Sequence, residues 1–265
     1  MKTIGFIGVG NMGGAMAKAC SNLKEGCVWI FDVNPDIYQH FEKEKNIHCA
    51  KSLKELVTQC DYIVMSIKPQ YYEEIASKLK EDLVESQIII TVAPNYALND
   101  LKTMLGEEVK VIRTMPNTPA LIGSGITAYC YLEKEMEQSL LVDFEKYFSS
   151  FGELVKVDES LMPAVVATTG SSPAYAYLFI EAMADAAVSF GMPRAMAYQM
   201  ASTALKGSAE MVLQTGQHPG VLKDAVTSPG GTTIKAVLAM EENGFRNSVI
   251  KGMEACYHQV KEMSK

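Results

Sequence analysis

Short apolar runs alternate with amphipathic stretches through the first 158 residues of the chain. The runs at 3–9, 27–32, 61–66, 87–92 and 109–114 are rich in Ile and Val, as strands buried on both faces are. Between them, 11–23, 35–43, 70–81 and 97–104 read as helices, and two later strands, 125–131 and 153–157, flank a helix over 133–148. Strand–helix–strand repetition at this spacing predicts an α/β domain built on a Rossmann-type, doubly wound parallel sheet with helices on both faces. After 158 the strand pattern stops, Ala becomes frequent, and helical patterns run on, broken at Gly191-Met192-Pro193, at Gly216-Gln217-His218-Pro219-Gly220 and at Ser228-Pro229-Gly230-Gly231. About five helices are expected there. The division predicted is a dinucleotide-binding domain over 1–158 and an all-α domain over 159–265. Ala, Gly and Ser on the helix faces suit close backbone approach, within a bundle or between subunits.

The first run leads into Gly8-Val9-Gly10-Asn11-Met12-Gly13, a G-x-G-x-x-G between a strand and a helix. Gly8 permits a tight turn, Gly10 lets the backbone approach a pyrophosphate, and Gly13 lets helix and strand pack closely. The helix beginning at Asn11 and Met12 offers unpaired N–H groups to the anion. Asp32 ends the second strand, 22 residues after Gly10, where an acid accepts hydrogen bonds from the adenosine ribose. It would repel a 2′-phosphate, and Val33-Asn34-Pro35-Asp36 offers no Lys or Arg to hold one, so NADH is favoured over NADPH. The alternative role for Asp32 is to cap the helix opening at Pro35. Ser66, Lys68 and Pro69 follow the third of these buried runs, and Met115-Pro116-Asn117-Thr118-Pro119 follows the fifth. Both lie where a doubly wound sheet builds its ligand crevice. Asn117 is expected to hold the nicotinamide or the loop itself.

In the helical part, Thr169-Gly170-Ser171-Ser172-Pro173-Ala174 reads as a helix start with Ser172 as cap. Ser228-Pro229-Gly230-Gly231-Thr232-Thr233-Ile234 repeats the logic. Both would present N–H groups and hydroxyls to a small carboxylate. Between Met162 and Met192 there is no Lys, Arg or His. Reduction of a ketone needs a strong proton donor. A protonated C=N accepts hydride directly, and a hydroxyl such as that of Thr233 can serve its ring nitrogen. Glu181 and Asp185 lie on one helix face at i and i+4, where solvent or pairing across an interface is their expected role.

Composition narrows the partners. The net charge of -7 and only three Arg argue against nucleic acid. Six Cys without a C-x-x-C, and four scattered His, give no metal pattern. The uncharged run at 163–180 is too polar at its centre to span a membrane. The apolar start of the chain makes a poor signal peptide, so a cytoplasmic protein with free thiols is expected.

The stretch Asp224-Ala225-Val226-Thr227-Ser228-Pro229-Gly230-Gly231-Thr232-Thr233-Ile234, continuing to Leu238 and Glu241, resembles the signature of pyrroline-5-carboxylate reductases. The loop over 8–14, Lys68-Pro69-Gln70, Met115-Pro116-Asn117-Thr118-Pro119 and Gly170-Ser171-Ser172-Pro173-Ala174 extend the resemblance over essentially the whole chain. It implies reduction of 1-pyrroline-5-carboxylate to L-proline by NAD(P)H. It also implies a helical dimerisation domain, a homodimer that assembles further into a decamer, and an active site to which both subunits contribute. Carried over by position, Gly230, Gly231, Thr232 and Thr233 would bind the substrate carboxylate, with Ser171 and Ser172 beside it, and Thr233 would face the ring nitrogen. Two departures stand out: Asp32, and Val92-Ala93-Pro94-Asn95 where the family carries an Ala/Gly-rich turn. Pro94 removes an N–H from that turn. The rival readings are a β-hydroxyacid dehydrogenase, which would want a Lys early in the helical part, and a dinucleotide-sensing regulator without catalysis.

Overall fold

The structure, a computed structural model, describes residues 2–263. Its first part contains β1 (Ile4–Ile7), α1 (Asn11–Ser21), β2 (Val28–Phe31), β3 (Ile47–Cys49), α2 (Leu53–Gln59), β4 (Tyr62–Met65), α3 (Tyr72–Lys80), β5 (Ile88–Thr91), α4 (Leu98–Leu105), β6 (Lys110–Met115), β7 (Gly125–Cys130), α5 (Gln138–Ser149) and β8 (Gly152–Lys156). Eight strands form one sheet in the order β3-β2-β1-β4-β5-β6-β7-β8. The order reverses between β1 and β4, which pair in parallel from Ile4↔Tyr62 to Ile7↔Met65. That reversal opens a crevice beyond the carboxyl ends of the strands.

Strands of continuous Ile, Val and Phe have no polar face, so both sides of the sheet are covered. On one side Phe6, Val28, Ile30 and Ile112 pack with Met16, Ala17 and Cys20 of α1 and with Phe144, Tyr147 and Phe148 of α5. On the other, Ile7, Ile63, Met65 and Ile89 pack with Leu56 of α2, Tyr72 and Leu79 of α3 and Leu101 of α4.

The expected strands are present, and four details differ. β7 runs antiparallel to β6. The connection from Met115 to Gly125 is shorter than the dozen or so residues a parallel crossover needs. The helix expected over 35–43 is a 3-10 helix over Pro35–Phe41. The helix expected over 133–148 divides into a 3-10 turn, Glu133–Glu135, and α5. β3 and α2 were not anticipated, because β3 is three residues long with His48 and Cys49 exposed.

Beyond β8 come α6 (Met162–Val165), a π-helical turn (Val166–Gly170), α7 (Ser172–Ser189), α8 (Arg194–Thr215), α9 (Pro219–Ala225), α10 (Thr232–Glu242) and α11 (Phe245–Met263). The chain divides into two compact units between Ser171 and Ser172, with residues from Cys256 onward in the first. The strands end at Lys156, near the boundary expected at 158, but α6 stays with the sheet because Met162 is buried in its core. The second unit buries little of its own apolar surface. Among the described residues 172–255, Pro173, Ala184, Ala197 and Ala201 are buried, while Leu178, Phe190, Leu213 and Leu238 stand open to solvent. Helices with so little core of their own require a further surface to cover them.

Candidate active site

β1 ends at Ile7 and the chain turns at once into α1. Gly8 holds φ +84°, and a Cβ there would lie 2.8 Å from the Ser66 carbonyl oxygen. At Gly13 a Cβ would lie 2.1 Å from the Gly8 carbonyl oxygen and 2.5 Å from Ser66 Oγ. At Gly10 it would meet nothing within 4 Å. Packing within the protein therefore demands the first and third glycines, whereas the space at Gly10 is free for a ligand backbone. Gly10 caps α1 without a side-chain hydrogen bond, so the first N–H groups of the helix are left to an anion. Asn11 is exposed and Met12 half-buried beside that opening. A groove of about 830 Å³ runs from Gly10 and Asn11 along α1 past Lys18 and His40. A cradle that a Cβ would not clash with, at the mouth of an uncapped helix, fits a dinucleotide pyrophosphate.

Asp32 is tied to this loop. Its Oδ2 accepts the Val9 N–H at 2.9 Å and its Oδ1 accepts the Asn34 N–H at 3.0 Å. The cap of the 3-10 helix at Pro35 is Asn34, which accepts from the Asp36 N–H, so the capping alternative for Asp32 does not hold. A carboxylate has about four acceptor sites, which leaves Asp32 capacity for ribose hydroxyls. The Ser66 hydroxyl donates to the Gly8 carbonyl at 2.6 Å and so holds the glycine loop. Lys68 is exposed at the entry to the 3-10 turn Pro69–Tyr71, and the Pro69 carbonyl accepts the Tyr96 hydroxyl at 3.2 Å.

The strand ends beside this crevice carry a polar framework that sequence reasoning missed. The Tyr72 hydroxyl donates to the Met65 carbonyl at 2.6 Å and meets Thr91 Oγ1 at 2.8 Å. Burial pushes the Tyr72 hydroxyl up to about 12, so it stays a donor at neutral pH. Thr114 Oγ1 donates to the Thr91 carbonyl at 2.8 Å. Arg113, 5% exposed, donates to Glu159 at 3.0 Å and to the Pro94 carbonyl at 2.8 Å. Glu159 also accepts the Leu98 N–H at 2.7 Å, at the start of α4. The available signal was an arginine, one of three, beside Val111 and Ile112 in the middle of a strand.

Two motifs far apart in sequence meet here. Pro173 has no N–H to give to the carbonyl four residues back, that of Thr169. That carbonyl instead accepts Asn117 Nδ2 at 3.1 Å, and Asn117 Oδ1 accepts the Ile126 N–H at 2.9 Å. Of the two roles expected for Asn117, its amide fills the loop-holding one. Gly170 packs on Met115, whose Cε would lie 2.5 Å from an added Cβ. The helix start expected here is present, α7 opening at Ser172 after the π-turn, and the Ser171 N–H between them is bonded to the Val166 carbonyl at 2.8 Å. Ser171 Oγ lies 3.2 Å from Cys256 Sγ.

In the second unit the other expected start is present. The Gly231 N–H bonds to the Ser228 carbonyl at 3.0 Å, closing a turn in which Gly230 takes φ +71°. Gly231 then caps α10 with no side-chain hydrogen bond, and Thr232 and Thr233 are exposed on its first turn. That combination of open amides and hydroxyls suits a carboxylate. Asp185 pairs with Arg194, the surface role expected for it. Burial pushes the thiols of Cys20 and Cys60 up, and that of Cys130 to about 12, so none of these three is a thiolate nucleophile. Among the described residues no cluster of His, Cys, Asp or Glu could hold a metal ion, and no helix is long and apolar enough to cross a membrane.

Residues 159–263 match the family profile described as pyrroline-5-carboxylate reductase dimerisation, and residues 3–95 match one described as NADP oxidoreductase, coenzyme F420-dependent. The chain is 42% identical over 267 aligned positions to the pyrroline-5-carboxylate reductase of Escherichia coli K12, covering 100% of this chain and 99% of that one. It is 36% identical to the enzyme of the same name from Pisum sativum, covering 99% and 96%. The crystal structure of Plasmodium falciparum pyrroline carboxylate reductase with NADP bound superposes with a TM-score of 0.90 at 30% identity, covering 100% and 98%.

The glycine geometry predicts opposite outcomes for two similar changes. Gly10 has φ −64°, which alanine tolerates. Gly10→Ala should leave ligand-free stability within about 1 kcal/mol, the scale of a weakened cap, yet weaken dinucleotide binding. Gly13→Ala should lower the ligand-free melting temperature by about 5 °C or more, as forced overpacking does. Thermal scans at fixed protein concentration and NADH fluorescence titrations check both.

Proposed function

The chain belongs to the pyrroline-5-carboxylate reductase family and is an NAD(P)H-dependent oxidoreductase of proline biosynthesis, and from that premise we propose how its own residues carry the reaction. The established step reduces 1-pyrroline-5-carboxylate to L-proline. When bound, the reduced nicotinamide supplies the hydride. We assign the cofactor to 1–158 and the substrate and dimer contacts to 159–265. The observation that carries the proposal is the pair of uncapped helix starts, at Gly10 and at Gly231, each with open main-chain amides.

Gly10, Asn11 and Met12 receive the pyrophosphate, with Gly8 and Gly13 shaping the turn. Asp32 accepts from the adenosine ribose and makes NADH the preferred donor. Ser66, Pro69 and Asn117 act on the cofactor by holding the loops around it, and Lys68 meets it from the exposed rim. Main-chain N–H groups of Gly230, Gly231, Thr232 and Thr233 hold the substrate carboxylate, and Ser171 and Ser172 border it. The Thr233 hydroxyl hydrogen-bonds the ring nitrogen and orients the protonated imine. That nitrogen keeps its proton as the imine carbon gains hydride, so no basic side chain is required. This is why the stretch between Met162 and Met192 works without Lys, Arg or His. The matched dimerisation region implies an oligomer. The exposed Leu178, Leu213 and Leu238 support a homodimer, assembling further to a decamer in the cytoplasm.

The test is an assay of purified protein with pyrroline-5-carboxylate and each dinucleotide. Both should turn over, with a higher kcat/KM for NADH, and Asp32→Ala should narrow that preference. A parent enzyme that favours NADPH removes the role given to Asp32. Thr233→Val should lower kcat by about tenfold to a hundredfold, the scale of one lost hydrogen bond to a charged group. An unchanged rate takes Thr233 out of the mechanism.

A further inference from the structure

A π-turn is uncommon in folded proteins and is found mostly at functional sites. The one over Val166–Gly170 is pinned on several sides. The Thr169 hydroxyl donates to the Val165 carbonyl at 3.0 Å, the Thr169 carbonyl accepts Asn117 Nδ2, and Gly170 lies against Met115 at the end of β6. The Ser171 N–H closes the turn on the Val166 carbonyl. With its backbone fixed beside the carboxyl end of β6, Ser171 keeps one freedom, the rotation of its hydroxyl among three staggered positions.

The Cys256 thiol removes that freedom. Its Sγ lies 3.2 Å from Ser171 Oγ. Cys256 stands on α11, the residues from it onward belong to the first compact unit, and Val260, one turn further, is 5% exposed. The thiol is therefore delivered by an anchored helix end and not by a loop. The pair also has the right chemistry to face an anion. A carboxylate only accepts hydrogen bonds, whereas a hydroxyl and a thiol each donate and accept. When the thiol donates to Ser171 Oγ, the hydroxyl proton is left for a carboxylate oxygen. Without the thiol, the hydroxyl is free to turn away.

We propose that Cys256 is a positioning residue for the substrate, its thiol holding the Ser171 hydroxyl in the rotamer that donates to the carboxylate of pyrroline-5-carboxylate. The inference rests on the reading that places Ser171 beside that carboxylate. It goes past that reading by giving a role to a side chain of the last helix that acts only through Ser171.

Steady-state kinetics with NADH on the full-length parent, Cys256→Ala, Cys256→Ser, Ser171→Ala and the double variant test this. A contact made equally in the ground and transition states moves KM and leaves kcat alone. Cys256→Ala should raise KM for pyrroline-5-carboxylate about threefold to tenfold, the scale of one uncharged hydrogen bond. Its kcat, and its KM for NADH, should stay within about twofold of the parent. Cys256→Ser keeps a donor and an acceptor and should bring the substrate KM back to within about twofold of the parent. The double variant should match Ser171→Ala, because the thiol has no hydroxyl left to act through. An unchanged KM in Cys256→Ala would overturn the proposal, as would a Cys256→Ser variant no better than Cys256→Ala, or losses that multiply in the double variant. A parental KM in Ser171→Ala would instead defeat the substrate contact given to Ser171, and this proposal with it.

Discussion

The approach of α1 to the β1 turn is the constraint from which the cofactor side of the molecule follows. A Cβ on Gly13 would sit 2.1 Å from the Gly8 carbonyl, a distance no side chain can occupy. With both residues glycine, α1 starts directly beyond β1, and its unpaired amides face the crevice opened by the β1–β4 reversal. Ser66 from β4 and Asp32 from β2 each bond to the turn, so three strands fix one loop. What the turn offers an anion is main-chain geometry, in a chain of net charge -7.

A second framework lies at the carboxyl ends of β4, β5 and β6. Tyr72, Thr91, Thr114 and Arg113 pair buried carbonyls and hydroxyls that would otherwise be left without partners beneath the crevice. Such a network is costly when half made and rigid when complete. Asn117 extends it to the π-turn before α7, where the Thr169 carbonyl accepts its amide. The loops at these strand ends are therefore held from below by buried hydrogen bonds.

Much of this was legible in the residues. Strands such as Ile-Gly-Phe-Ile and Tyr-Ile-Val-Met declare themselves because both faces are buried and no polar alternation blurs them. The glycine loop and Asp32 are read from spacing because their chemistry is local. β3 was not legible, being three residues long and largely exposed. The direction of β7 was hidden because it depends on the length of the Met115–Gly125 connection, not on the strand's own pattern. The Asn117–Thr169 and Arg113–Pro94 bonds join residues distant in sequence, and no periodicity reports such pairs. The helix start at Ser172 was legible because Pro173 suits a first turn, whereas the π-turn before it leaves no such mark.

The proposed mechanism seats two anions on main-chain amides at two helix starts, with no cationic side chain as the principal contact. Amide hydrogen exchange on the intact oligomer, followed by mass spectrometry, reports on those amides directly. Adding NADH should slow exchange in peptides covering 8–14, and adding L-proline to that complex should slow it further in peptides covering 229–235. Protection by proline that is absent from 229–235 and appears instead around a Lys or Arg elsewhere in the chain would contradict the account.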